Sequence, residues 1–92
     1  MDFVYKEDRI VLYNEAEEVI AEITFPAVSE NEVEITHTFV DGSLRGQGIA
    51  GKITEAAADY IRQNSKKVKP VCSYAVGWFS KHPEYNDILS DR

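Results

Sequence analysis

The sequence predicts an α+β fold in which an antiparallel meander leads into a strand–helix–strand unit and the helices come late. Three observations predict it. Short β-prone runs, separated by polar or proline-containing breaks, fill the chain as far as Val40. A period of three to four residues takes over after Gly42. One further β-prone run follows that helix, and two helical segments come after it.

Residues 3–5 and 9–13 are two such runs, joined tightly through Lys6, Glu7 and Asp8. Residues 19–25 make a third, stopped by Pro26, which has no N–H to donate to a sheet. Residues 33–40 make a fourth, with Val33, Ile35, His37 and Phe39 on one face and Glu34, Thr36 and Thr38 on the other. The polar stretches 14–17 and 28–31 have hairpin length. Ile49, Ile53, Ala56, Ala57, Tyr60 and Ile61 then predict an amphipathic helix from Gln47 to Asn64. Residues 68–72 form a fifth strand, in which Pro70 marks an edge or a bend. Ser73 is the expected N-cap of a helix over 74–81, and Pro83 opens a last short helix through Leu89. The order is β-β-β-β-α-β-α. Strand 33–40, the long helix and strand 68–72 make a βαβ unit, whose right-handed crossover sets the fifth strand parallel to the fourth.

At 92 residues the chain suits a single domain over 1–92. A domain this short buries only about 60% of its unfolded surface. Its 43% hydrophobic and 11% aromatic residues still supply a core and argue against disorder. The net charge of −6, from 16 acidic and 10 basic residues, makes nucleic acid a poor partner, since phosphates are bound by cations. Lys66, Lys67 and Lys69 are the one close basic group, and at a helix end they complement its dipole. Cys72 is the single cysteine, which excludes an internal disulfide and fits a reducing compartment. The start lacks the pattern of a secretory signal, and no run approaches the roughly 18 apolar residues of a membrane span. A cytoplasmic protein without a membrane partner is expected.

The stretch from Asp41 to Gly51 leaves a strand and opens a helix. N–H groups in the first turn of a helix have no internal partners and sit at the positive end of its dipole, so an anion, and a pyrophosphate above all, satisfies both. Gly46 and Gly48 admit a close approach and tolerate unusual backbone angles. Gly51 and the small Ala50 leave room beside the first turn, and Arg45 and Lys52 offer charge-assisted contacts. The same glycines also suit a plain turn and a tight helix–sheet contact. Two familiar phosphate loops do not fit. After Gly51-Lys52 comes Ile53, not the hydroxyl residue of a Walker loop. The letters of Gly46 to Gly51 match a dinucleotide fingerprint, but only one strand follows, where that fold needs more.

The segment Arg45-Gly46-Gln47-Gly48-Ile49-Ala50 resembles the acetyl-CoA motif of the GNAT N-acetyltransferase superfamily, written R/Q-x-x-G-x-G/A. His37-Thr38-Phe39-Val40, Cys72-Ser73-Tyr74 and the stretch from Trp78 to Tyr85 extend the likeness to a short, single-domain GNAT-like family. The resemblance implies a minimal GNAT-like fold with a splayed parallel strand pair, and acetyl-CoA or coenzyme A as co-substrate. It implies that the pyrophosphate lies on the N–H groups of Gly46, Gln47, Gly48, Ile49, Ala50 and Gly51, with the pantetheine along the backbone near Phe39 and Val40. The function implied is transfer of an acetyl group to a small-molecule or peptide amine; the alternative is a module that binds CoA or acyl-CoA without turnover. Two departures stand out. Longer members carry helices after the first strand that help to build the acceptor site, and this chain runs straight on into its meander. Many members also carry a tyrosine in the helix after the fifth strand that protonates the leaving thiolate, and the matching position here is Phe79.

Cys72 ends the fifth strand, close to where the resemblance puts the thioester. A thiol there can take up the acyl group or replace the missing proton donor, and cysteine also serves as a small buried hydrophobe. His37 is the second catalytic candidate; a histidine among apolar residues is either a base or a satisfied structural residue. Tyr74 is a further hydroxyl with packing as its simplest use, and Trp78, Phe79 and Tyr85 fall at helical spacing as core aromatics. His82 precedes Pro83 and suits an exposed or capping place. Cys72, His37 and His82 lack metal-ligand spacing, so no metal is expected. The oligomeric state is not encoded in any of these features.

Overall fold

The computed structural model describes residues 2–91. Strands β1 (Val4–Tyr5), β2 (Arg9–Tyr13), β3 (Val19–Thr24), β4 (Ala27–Ser29), β5 (Glu32–Ile35) and β6 (His37–Val40) precede helix α1 (Ile49–Gln63), strand β7 (Lys67–Pro70) and helix α2 (Ser73–Ser80). Short 3-10 segments at Gly42–Leu44 and Pro83–Ile88 complete the order. One sheet runs β1-β2-β3-β6 and is antiparallel; the other runs β4-β5-β7, with β5 and β7 parallel. This is the α+β architecture expected, with the parallel pair flanking the long helix.

The expected strand 33–40 is in fact two strands, broken at Thr36. The cause lies in its partners. Up to Ile35 the chain pairs with β7, and from His37 onward it pairs with β3. At the break, Thr36 N–H donates to Thr24 O at 3.1 Å. The inside–outside alternation slips at that point: Val33 and Ile35 are buried, whereas His37 and Phe39 are exposed. His37 and Phe39 therefore do not share the buried face of Val33 and Ile35. The stretch 28–31, expected as a loop, also contains part of β4, whose three residues are all exposed and show no alternation to read.

Helix α1 begins two residues later than expected, because Gly48, at φ 68°, is its N-cap. Its buried stripe is Ile49, Ile53, Thr54, Ala57, Ala58 and Ile61. Thr54 is tolerated inside because its hydroxyl donates to Ala50 O at 2.7 Å. The helix ends in paired backbone bonds from Ser65 N–H to Arg62 O and from Lys66 N–H to Ile61 O, with Ser65 in the left-handed region at φ 56°. The stripe packs on Ile10, Leu12, Ala21, Ile23 and Phe25 from the first sheet and on Val33, Ile35 and Val68 from the second. Trp78, Phe79, Tyr85 and Ile88 close the core from the C-terminal side.

Helix α2 is capped by Cys72 and not by Ser73. Cys72 is extended, at φ −69° and ψ 146°, and its sulfur accepts from Ala75 N–H at 3.4 Å, while Ser73 is already helical. Pro83 opens the final 3-10 segment as expected. Arg62 fastens that segment to α1. It pairs with Asp87, donates to Glu84 O and lies over the Tyr85 ring at 4.6 Å, and the Tyr85 hydroxyl donates to Asp59 at 2.7 Å.

Candidate functional site

The site is built around the turn between β6 and α1. Asp41 closes the strand by donating its N–H to Ile20 O, and its carboxylate accepts from Ser43 N–H at 2.9 Å to start the 3-10 segment. The hydrogen bonds from Ser43 hold the Asp41 carboxyl below the usual carboxylate range. Leu44, buried, pins the turn into the core. Three further loop amides are used internally: Leu44 donates to Asp41 O, Arg45 to Gly42 O and Gln47 to Leu44 O.

The N–H of Gln47 is thus already taken, at 3.2 Å, by the loop that it helps to fold. That removes it from the expected set of pyrophosphate donors. The N–H groups of Gly46, Gly48, Ile49, Ala50 and Gly51 find no acceptor among the described residues, and the first bond of α1 runs from Lys52 N–H to Gly48 O. Gly46 stands at φ 83° and Gly48 at φ 68°, and a Cβ built on either would meet no protein atom within 4 Å. The glycines are required by the backbone, and the space beside them is open. A groove of about 330 Å³ runs over this turn from Val40 past Arg45 to Ala50. Arg45 is exposed and forms no ion pair among the described residues. Five free amides at the positive end of a fifteen-residue helix, with an unpaired guanidinium beside them, suit an anion.

From this groove the free edge of β6 leads to Cys72. In the first sheet β6 pairs only with β3. Since Asp41 N–H bonds Ile20 O, the antiparallel alternation turns the amides of His37 and Phe39 toward β3 and those of Thr38 and Val40 toward the open edge. Of the two residues expected to offer backbone to a ligand, Val40 keeps its groups free, and Phe39 uses them on Glu22. Thr38, and not Phe39, turns its backbone groups to the open edge.

At the far end of that edge a gap opens beyond the pairing of β5 with β7. Ile35 O accepts from both Val71 N–H at 2.9 Å and Cys72 N–H at 3.1 Å, the last backbone link across the gap. Beyond it the Thr38 hydroxyl lies 3.5 Å from the Cys72 sulfur. Cys72 is half-buried, and its thiol meets the groups at the gap. The structure does not bring His37 to it. The His37 side chain leaves β6 on the opposite face from Thr38, is exposed, and forms no hydrogen bond among the described residues. Phe79 is 4% exposed and packed within the core. On α2, the Tyr74 hydroxyl and the Trp78 indole nitrogen approach Gly51, within 3.7 and 4.0 Å of where its Cβ would stand.

A larger cleft, about 450 Å³, lies by the other end of α1 among Asp8, Phe25, Tyr60 and Lys66. It has more volume, yet it faces the carbonyl end of the helix, where the dipole is negative, and volume alone does not bind an anion. Among the described residues no group of three or more His, Cys, Asp or Glu is arranged to hold a metal, and no helix is long and apolar enough to cross a membrane.

Comparison with known proteins agrees with this fold. The family model described as GCN5-related N-acetyl-transferase matches residues 9–88. A GCN5-like protein from Staphylococcus aureus, solved by NMR, is 30% identical and covers 97% of this chain and 87% of its own, with a TM-score of 0.79. A GNAT family N-acetyltransferase from Escherichia coli, crystallised in complex with CoA, is 20% identical over 79% of this chain at a TM-score of 0.64, a likeness of fold alone. Protein NATD1 of Xenopus tropicalis is 29% identical over 63 residues. The chain spans 58% of the length of that curated relative and 43% of the E. coli protein.

Proposed function

The chain belongs to the GCN5-related N-acetyltransferase family, and from that premise we propose that residues 1–92 act as one acetyl-CoA-dependent N-acetyltransferase domain with an amine as acceptor. The observation that carries this is the row of unpaired amides at Gly46, Gly48, Ile49, Ala50 and Gly51, open to a groove that continues along a free strand edge. A diphosphate satisfies those amides, and a pantetheine chain, itself made of amides, suits the free N–H and C=O groups of Thr38 and Val40.

When bound, acetyl-CoA supplies an activated thioester carbonyl. The chain's own residues supply the rest. Arg45 and the loop amides hold the anion, and a backbone N–H of the β6 edge polarises the acyl oxygen. Cys72 is the group we assign to the reacting centre, as its sulfur stands in the gap beyond the pairing of β5 with β7. Its thiolate attacks the thioester carbonyl, the bond to the CoA sulfur breaks, and CoA leaves as the thiol with the proton given up by Cys72. The amine then attacks the acyl group on Cys72, and the thiol is restored with the proton that the amine releases. His37 leaves β6 on the open outer face of the first sheet, the face opposite Thr38 and the Cys72 sulfur, so no base role in this step is assigned to it. That face is open because β1 joins β2 through a tight turn and not through helices.

One observation favours a second version of the same activity. Phe79, at the position of the family's proton-donating tyrosine, is buried and has no proton to give. Cys72 then acts as proton donor to the departing CoA, and the amine attacks acetyl-CoA directly. Mass spectrometry of the protein after incubation with acetyl-CoA separates the two versions: the relay leaves one acetyl group on Cys72, and the donor version leaves none. Release of free CoA thiol against a panel of amines, polyamines and peptides tests the activity itself. Binding of CoA without thiol release under any acceptor would reduce the domain to a CoA-binding module.

A further inference from the structure

We infer that α2 completes the anion site at the mouth of α1, with the Trp78 indole N–H and the Tyr74 hydroxyl donating to an anionic oxygen of the bound diphosphate. This deepens the reading of the loop as a diphosphate site and rests on it. Trp78 is 7% exposed, yet its N–H has no acceptor among the described residues. Among those residues no fully buried side-chain nitrogen or oxygen lacks a partner, so the indole nitrogen itself keeps some contact with solvent. A buried tryptophan ordinarily gives its N–H to an acceptor. Here the ring is clamped: His82 stacks on it with centroids 4.0 Å apart, and Tyr85 lies at 5.4 Å. The clamp aims the nitrogen at Gly51, in the first turn of α1.

Tyr74 meets the same place from the start of α2. Its hydroxyl would lie 3.7 Å from a Gly51 Cβ and donates to no acceptor among the described residues. Burial pushes the phenol's pKa up, so it stays protonated and able to donate. Two unpaired side-chain donors therefore converge beside unpaired amides, and they share one complementary ligand, an oxygen anion. Gly51 matters in a new way. It keeps an ordinary helical φ, and a Cβ there would meet the two donors at plain contact distance without clash. A side chain would fit the protein and shield the donors from a ligand.

Trp78 is the only tryptophan, so it contributes one indole N–H resonance to a 15N-labelled sample. Titration with CoA is expected to move that resonance together with the amides of Gly46 to Gly51, while pantetheine, which lacks the diphosphate, leaves the indole in place. Gly51→Ala is expected to fold with unchanged or raised thermal stability and to bind CoA about three- to tenfold more weakly, and Tyr74→Phe to weaken it by a similar factor. Loop amides that shift while the indole stays still overturn the inference and leave the loop site intact. An indole shift of equal size with pantetheine overturns the diphosphate as its partner. No shift at any of these groups overturns the loop reading and the inference together.

Discussion

The hydroxyl of Thr38 lies 3.5 Å from the sulfur of Cys72, across the gap that opens beyond the pairing of β5 with β7. The same sulfur accepts from Ala75 N–H as the cap of α2. One atom therefore has a structural task and faces the groups proposed to bind the thioester. Substitution separates the two. Cys72→Ala removes the cap and is expected to cost about 1 kcal/mol, a fall of roughly 4–8 °C in Tm. Cys72→Ser restores a cap and keeps a partner for Thr38, so its Tm should stay near that of the parent. Its rate of CoA thiol release should fall about tenfold or more, since a hydroxyl is the weaker nucleophile and acid. A fully active Cys72→Ser would remove Cys72 from the chemistry.

Arg45 is exposed and free of ion pairs among the described residues, so its loss should leave stability untouched. Arg45→Gln is expected to weaken CoA binding about three- to tenfold, and the deficit should shrink as salt is raised, as for any screened charge. Parallel thermal melts and binding isotherms check both halves.

Gly48 caps α1 at φ 68°, where an L side chain is strained even with open space around it. Gly48→Ala is expected to destabilise the fold by about 1–2 kcal/mol, read by denaturant unfolding. Ser65 shows the opposite case. It ends α1 in the left-handed region at φ 56°, and Ser65→Gly should relieve that conformation and stabilise by about 0.5–1 kcal/mol.

Arg62 makes the stability of the C-terminal segment depend on pH. Its hydrogen bond and its charge hold the Asp87 carboxyl below the usual value of 3.8. A carboxyl with a lowered folded pKa stabilises above its unfolded value, and the contribution disappears as pH falls through the folded value. Melts taken from about pH 5 down to about pH 3 should show a falling Tm, and Asp87→Asn a shallower fall. At the alkaline end the Tyr85 phenol is pushed up to about 12 by burial, by its bond to Asp59 and by that carboxylate's charge. Its contribution is complete below the ordinary value of 10.0 and is lost as pH rises toward 12. Tyr85→Phe should flatten that alkaline limb.

Much of the architecture can be read from local pattern. The stripe of α1 announces itself because Ile49, Ile53, Ala57 and Ile61 repeat at the helical period, and the loop because Gly46 and Gly48 occupy positions where φ is positive. The break at Thr36 cannot be read in that way. Residues 33–40 alternate without a glycine or proline, and only the exchange of partner from β7 to β3 divides them. The register with β3 decides which backbone groups are free, so Thr38 and not Phe39 faces the open edge. The cap at Cys72 is hidden for a related reason, since Ser73 is the better capping residue by type and the chain's entry angle decides otherwise. The convergence of Tyr74 and Trp78 on Gly51 joins residues of two helices, and no local pattern encodes it.

Calorimetric titration with coenzyme A measures most directly whether the mouth of α1 holds a diphosphate. Saturable one-to-one binding, abolished or much weakened in Gly48→Ala under conditions where that variant is folded, is the result expected. No heat of binding up to millimolar ligand, from protein shown to be folded, would contradict the cofactor site and the transferase activity that depends on it.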